Sequence, residues 1–146
     1  MAFSYSRSFF VALIFTSVPL FSGCDTQPVY ELTPVKVRVT IDGKPANDIN
    51  VQLMPNTVSE TFGPTSLGIT DAQGVAVMKT VDNRDGAVVG KHLIVLTDML
   101  EERPPQGQPP KKKPRLDSVY SIPSVERTYE VSKNSDTIEV SLTRPR

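Results

Sequence analysis

Cys24 carries the only thiol of the chain, and the residues that precede it indicate the chemistry of this thiol. It directly follows Ser22 and Gly23, and these follow an apolar run over residues 9–21 that is preceded by the single cation Arg7. The run has the length of a signal-peptide core and is shorter than the about 20 apolar residues that a membrane-spanning helix needs. A lone thiol in an oxidising compartment is a reactive liability without a partner, so we expect chemistry that consumes the thiol.

Residues 20–24 resemble the lipobox of bacterial lipoproteins, in which an apolar residue and two small residues precede an invariant cysteine. Ordinary secretory cleavage after Gly23 fits less well, because the bulky Phe21 occupies a position that requires a small side chain. The resemblance implies that a signal peptide over residues 1–23 is removed and that Cys24 is diacylated on sulfur and acylated, for example with palmitate, on nitrogen. Two or more acyl chains, at roughly 0.8 kcal/mol per buried CH₂, anchor a protein stably. The sequence therefore predicts an exported lipoprotein of the bacterial cell envelope, in the inner or the outer membrane.

His92, the only histidine, introduces the most apolar stretch of the chain. A zinc site needs several cooperating ligands, and Ser-His-Asp chemistry needs a positioned serine; the sequence pattern indicates neither, so we expect a packing role for His92. Asp82 and Asp85 lie in a turn-rich loop, but EF-hand spacing would put Val81 at the first calcium-ligand position, which favours a solvated turn. The sequence thus predicts no catalytic residue, no cofactor and no metal site, and the protein is not expected to be an enzyme.

A basic, Pro-rich loop is expected over residues 101–117. It contains Lys111, Lys112, Lys113 and Arg115 among five prolines. Proline stiffens the chain and removes amide donors, so this segment should be extended and lie outside any sheet. Its four cations are candidates for contact with anionic lipid headgroups, lipopolysaccharide or an acidic partner, each worth roughly 1 kcal/mol near such a surface. The alternative is a solvated insertion between strands.

Removal of residues 1–23 costs the chain one of its 16 basic residues, Arg7, and none of its 16 acidic ones, so 15 minus 16 leaves a net charge of −1. This balance provides no field that would attract nucleic acid. The remaining 123 residues suffice for one domain with a real core. No cysteine besides Cys24 is present, so packing rather than a disulfide must stabilise the fold.

Period-two alternation and frequent turn residues predict an all-β fold, a single small antiparallel β-sandwich of about seven strands after an N-terminal signal helix. In residues 35–41, Val37, Val39 and Ile41 alternate with polar residues, and Asp42-Gly43 then suits a tight hairpin turn. Further strands are expected over residues 49–54, 66–70, 75–80, 91–97, 127–131 and 136–143. Residues 91–97 are the most apolar, so this strand should be central and covered on both faces.

The succession of segments 37–45, 50–55, 68–74 and 86–92 resembles the carboxypeptidase regulatory-like domain, which is transthyretin-like or, more broadly, immunoglobulin-like. In particular it is similar to small bacterial lipoproteins built around one such domain. The resemblance implies a tether over residues 24–34 and a domain over residues 35–143, and because its motifs are turns and core positions it says little about activity. Hydroxyisourate hydrolases of this fold use several histidines and a Tyr-Arg-Gly-Ser motif, which this chain lacks.

The function expected from the sequence is that of a membrane-anchored, non-enzymatic structural or interaction module. Its partners would be the membrane, through lipidated Cys24, and an envelope protein or glycan, whereas the sequence indicates no oligomeric state. A carbohydrate- or peptide-binding accessory domain is the alternative, and an enzyme with a pocket around His92 is the third possibility. Sugar platforms present exposed aromatic rings, and in the absence of Trp the candidates are Tyr30, Phe62, Tyr120 and Tyr129.

Overall fold

The computed structural model describes residues 30–100, 114–134 and 137–145, and over these ranges the chain is a β-sandwich with two short 3₁₀ helices. Cys24, the predicted signal helix and Lys111 to Lys113 lie outside the described residues. The predicted all-β fold is confirmed. Seven of the eleven strands are three residues or longer. The strands are β1 (Leu32–Thr33), β2 (Lys36–Ile41), β3 (Lys44–Pro45), β4 (Ile49–Pro55), β5 (Ser66–Ile69), β6 (Val75–Val77), β7 (Lys79–Thr80), β8 (Ala87–Val88), β9 (Gly90–Asp98), β10 (Thr128–Val131) and β11 (Thr137–Leu142).

The first sheet is built around β2, whose buried side chains alternate with exposed or half-buried ones as the period of two predicts. β6 and β3 pair with it antiparallel along one edge, and β11 pairs with it along the other. The β2–β11 pair is parallel, from Lys36 beside Thr137 to Ile41 beside Leu142, so the sandwich that was predicted as antiparallel contains one parallel pair. The physical reason is that the chain crosses from one sheet to the other after β10, instead of turning back in a hairpin within one sheet.

The second sheet has the strand order β10-β9-β4-β5-β7, which places the apolar strand β9 inside the sheet, as predicted. Ile94 and Leu96 face the core and are each 1% exposed. Val95, on the opposite face of the strand, is also buried. The second 3₁₀ helix (Ser118–Ser121) lies beside β9, and the Ser121 hydroxyl donates to the Leu96 carbonyl at 3.4 Å.

The segment predicted as one strand over residues 75–80 forms two strands that belong to different sheets. β6 pairs with β2 of the first sheet and β7 pairs with β5 of the second. Between them lies Met78, which is fully buried, donates its N–H to the Val35 carbonyl at 3.1 Å and accepts the Gly86 N–H at 2.8 Å. The chain thus crosses the core at Met78 and joins the two sheets covalently.

The register of β4 with β9 defines two ends of the sandwich. Ile49 lies opposite Asp98 and Pro55 lies opposite His92, so these two ends are separated by six residue steps, or about 20 Å. The end at Asp98, called here the Asp98 end, carries the predicted turns at residues 42–43 and 71–74. In the first turn Asp42 and Gly43 have φ values of 51° and 75°, and in the second the Asp71 carboxylate accepts two backbone N–H groups.

The opposite end is called here the Tyr30 end, because the described chain begins there. β1 pairs with β8, and the Tyr30 ring lies 4.7 Å below the guanidinium of Arg84, in the turn that follows β7. The same end carries the loop of residues 56–65, which connects β4 to β5.

Met78→Ala should lower the free energy of unfolding by about 2–5 kcal/mol, because it leaves a cavity where the chain crosses between the sheets. The neighbouring Val77→Ala is the matched control, since Val77 is 58% exposed, and should cost under about 1 kcal/mol. Urea denaturation of both variants measures the difference. Equal losses would show that Met78 does not hold the sheets together.

Candidate functional site

Arg115, predicted as one of four cations for an anionic surface, forms an ion pair with Asp98. Its Nε donates to Asp98 Oδ2 at 2.7 Å and its Nη2 donates to Asp98 Oδ1 and, at 3.1 Å, to the Asn47 carbonyl. The Asp98 side chain is 2% exposed and that of Arg115 is 27% exposed. The two partners lie on either side of residues 101–113 in the chain, so the pair joins the residues that precede this segment to those that follow it.

The environment of Asp98 keeps its carboxylate ionised. Burial by itself would raise the pKa of Asp98, but hydrogen bonds from Arg115 and from the Leu100 N–H, together with the charge of Arg115, lower the pKa below its ordinary value. The hydrogen bond to Asp98 likewise raises the pKa of Arg115. The guanidinium is therefore engaged within the fold. Of the four predicted contact residues, Arg115 is the one that the structure describes.

His92 is fully enclosed, in agreement with the packing role expected for it. Its Nδ1–H donates to the Gly90 carbonyl at 3.1 Å, which fixes the hydrogen on that nitrogen because a carbonyl can only accept. Nε2 is buried and has no hydrogen-bond partner among the residues that the structure describes. Burial lowers the pKa of His92, so the imidazole is neutral at pH 7.

An open groove of about 440 Å³ lies on the outer face of the second sheet, between the first 3₁₀ helix (Thr57–Ser59) and the β9–β10 pair. Lys91 and Glu130 are cross-strand partners on its floor and carry opposite charges. Hydroxyl, ammonium and carboxylate groups in one groove can hydrogen-bond a polar ligand. The lining residues are Asn56, Val58, Ser59, Lys91, Val125, Thr128 and Glu130.

The four aromatic residues considered as a sugar platform do not share one exposed face. Tyr120 and Tyr129 are half-buried and pack against the core, and the Arg127 guanidinium lies 5.4 Å from the centre of the Tyr120 ring. Tyr30 is half-buried beneath Arg84. Phe62, in the loop of residues 56–65, is 64% exposed and differs from the three tyrosines in this respect.

In the acidic turn of residues 82–86, the two carboxylates form ion pairs with basic side chains. Asp82 lies 2.6 Å from Arg84, and Asp85 lies 3.2 Å from Lys79. Within the described residues no three His, Cys, Asp or Glu side chains are grouped closely enough to hold a metal ion. The same part of the chain contains no helix with the length and apolarity required to span a bilayer.

Comparison with models of protein families, with curated proteins and with solved structures yields no match to this chain.

The Asp98–Arg115 pair was not predicted from the sequence, although one signal for it exists. Asp98 has the same parity along β9 as the core residues Ile94 and Leu96, so alternation alone places its carboxylate on the buried face. A carboxylate in that position requires a cation. The sequence pattern does not identify which cation, because Arg115 follows three lysines of the same charge.

Arg115→Ala should lower the free energy of unfolding by about 2–4 kcal/mol at pH 7, because it leaves a buried carboxylate without its cation. The pair lowers the folded pKa of Asp98 below the unfolded value of about 3.9, so its contribution is present above about pH 4 and is lost as the pH falls through the folded pKa. Urea denaturation should therefore show a larger loss at pH 7 than at pH 3. Arg38→Ala is the control, since its pair with Glu139 is exposed, and a loss as large as that of Arg115→Ala would contradict the structural role.

The stability of the protein should fall as the pH is lowered from about 6.5 towards 5. His92 is neutral when folded but becomes protonated when unfolded below about pH 6.5, so the unfolded state binds the additional proton. As the chain has no other histidine, His92→Leu should remove most of this slope. The measurement is the free energy of unfolding of both proteins at pH 7 and pH 5. A parent protein that becomes more stable on acidification over this range would contradict the burial of a neutral imidazole.

Proposed function

We propose that this protein is a membrane-anchored lipoprotein of the bacterial cell envelope whose β-sandwich is a non-enzymatic structural or interaction module. The observation that carries the proposal is the position of Cys24, directly behind Ser22, Gly23 and an apolar run too short to span a membrane. Acylation at sulfur and nitrogen would convert this thiol into an anchor of two or more chains, which is sufficient for stable attachment. The resemblance to carboxypeptidase regulatory-like domains is part of the same proposal.

The positions of His92 and Asp98 support a non-enzymatic role. Both residues are buried, and the His92 Nδ1–H donates to the Gly90 carbonyl while the Asp98 carboxylate accepts from Arg115. They lie at opposite ends of β9, six residue steps or about 20 Å apart, so they cannot act on the same substrate atom.

The groove between the first 3₁₀ helix and β9–β10 favours a second candidate, an accessory domain that binds a peptide or glycan of the envelope. Its hydroxyl groups and its Lys91–Glu130 pair offer both donors and acceptors to a polar ligand. A glycan or peptide whose binding is lost when both Lys91 and Glu130 are replaced by alanine would support this candidate.

Cys24→Ser should release the protein from the membrane fraction and remove the mass of the acyl chains, because the hydroxyl of serine does not replace the thiol in this modification. Ser22→Ala is the matched control, since it keeps a small residue two positions before the cysteine and should leave both properties unchanged. Intact-mass analysis of the membrane fraction provides the measurement. A mature chain that starts at Cys24 and carries no added lipid mass would refute the anchor.

A further inference from the structure

In the loop of residues 56–65, two of the polar residues are buried and the two large apolar residues are exposed. Asn56 and Thr61 are 4% and 5% exposed, whereas Val58 and Phe62 are 83% and 64% exposed. Folded chains ordinarily bury the larger apolar side chains and expose the amide and hydroxyl groups. Exposed apolar side chains that lie on one loop form a candidate surface for contact with an apolar phase.

Hydrogen bonds within the loop accompany this arrangement. Asn56 Oδ1 accepts the Val58 N–H at 3.1 Å, and the Asn56 carbonyl accepts the Thr61 N–H at 3.1 Å. The Thr61 hydroxyl oxygen in turn accepts the Lys91 N–H at 2.9 Å and so attaches the loop to β9. The Asn56 and Thr61 side chains accept two of these three bonds from the backbone and point inward, whereas Val58 and Phe62 lie on the outside of the loop.

The described chain begins directly beside this loop. Gly63, the neighbour of Phe62, has a φ of 143°, and a Cβ atom placed on it would lie 3.3 Å from Tyr30 Cγ and 2.7 Å from Val88 Cγ2. A glycine at this position therefore lets the Tyr30 ring pack against the loop backbone. Six residue steps separate Tyr30 from Cys24, so the two Cα atoms are at most about 22 Å apart.

Exposure alone does not distinguish this loop, since Met99 and Leu100 are also 56% and 59% exposed. Those two residues follow Asp98 directly and therefore lie at the opposite end of the sandwich, about 20 Å away along β4. What distinguishes Val58 and Phe62 is that they share an end with the start of the described chain.

The charges around the loop are largely balanced by ion pairs. Arg84 pairs with Asp82 at 2.6 Å and Lys133 pairs with Glu31 at 2.7 Å, and all four residues lie at the Tyr30 end. Glu60 adds one negative charge to the loop itself. Among the described residues the Tyr30 end therefore has no excess of cations that would attract anionic lipid, so a contact of these residues with a bilayer would depend on apolar side chains.

From this arrangement we infer that the loop of residues 56–65 is a second membrane contact, in which Phe62 and Val58 enter the interfacial layer of the bilayer that holds the acylated Cys24. The inference rests on the proposed lipid anchor and adds an orientation to it. The Tyr30 end faces the lipid, and the Asp98 end, with the Asp98–Arg115 pair, faces away from it. Aromatic and aliphatic side chains are the residue types that bind at this depth of a membrane.

Tryptophan fluorescence tests the inference, because the chain has no tryptophan and a single introduced one is the only reporter. Full-length lipidated Phe62→Trp protein is reconstituted into phosphatidylcholine vesicles with and without brominated acyl chains. We expect the emission of the Phe62→Trp protein to be blue-shifted relative to that of the Met99→Trp protein, and we expect the brominated lipid to quench it roughly twofold or more. Met99→Trp is the matched control, at similar exposure on the Asp98 end, and should show neither effect.

Three outcomes would count against the inference. Equal quenching of the two variants, or stronger quenching of Met99→Trp, would overturn the orientation. Quenching of Phe62→Trp that appears only after phosphatidylglycerol is added would show that attraction to anionic lipid, and not apolar insertion, holds the loop at the membrane. Failure of the unsubstituted protein to float with the vesicles would instead overturn the lipid anchor, and with it the inference, so flotation separates the two failures.

Discussion

Contact between the inner faces of the two sheets is the interaction on which the rest of this structure depends. Cys24 is the only cysteine, so no disulfide can close the domain, and the core must supply the stability. Val39 and Val140 from the first sheet meet Leu53 and Ile94 from the second in one cluster, in which each is at most 2% exposed. The crossing of the chain at Met78 fixes one sheet relative to the other. β4 and β9 both contribute side chains to this core, and the register between these two strands sets the positions of both ends of the sandwich.

The parts of the fold that the sequence predicts are those determined by neighbouring residues. Alternation over residues 35–41, followed by Asp42-Gly43, predicts a strand and its turn because side-chain parity and left-handed φ values are local properties. The division of residues 75–80 between two sheets is not local, since both halves keep the same period of two. The parallel pairing of β11 likewise depends on which sheet the chain reaches after β10, and no local sequence pattern indicates which sheet that is.

The candidate sites show the same limit. Parity along β9 predicts that Asp98 is buried, but its partner Arg115 is 17 positions away, beyond a segment that the sequence predicts to be an extended loop. Hydropathy identifies Phe62 as apolar without indicating that it is exposed. Its exposure follows from the hydrogen bonds of Asn56 and Thr61, two polar residues whose burial becomes evident only in the folded loop.

In the proposed arrangement the sandwich has two unlike ends, one apolar and close to the lipid anchor, the other held by an ion pair and directed away from the membrane. The distance of each end from the bilayer tests this claim most directly. A cysteine introduced at Ser59 or at Gln73 places a fluorescent donor on an exposed position of the Tyr30 end or the Asp98 end, respectively, once acylation has consumed Cys24. Energy transfer to acceptor-labelled lipid headgroups should be stronger from position 59 than from position 73. Equal transfer from the two positions, or stronger transfer from position 73, would contradict the account.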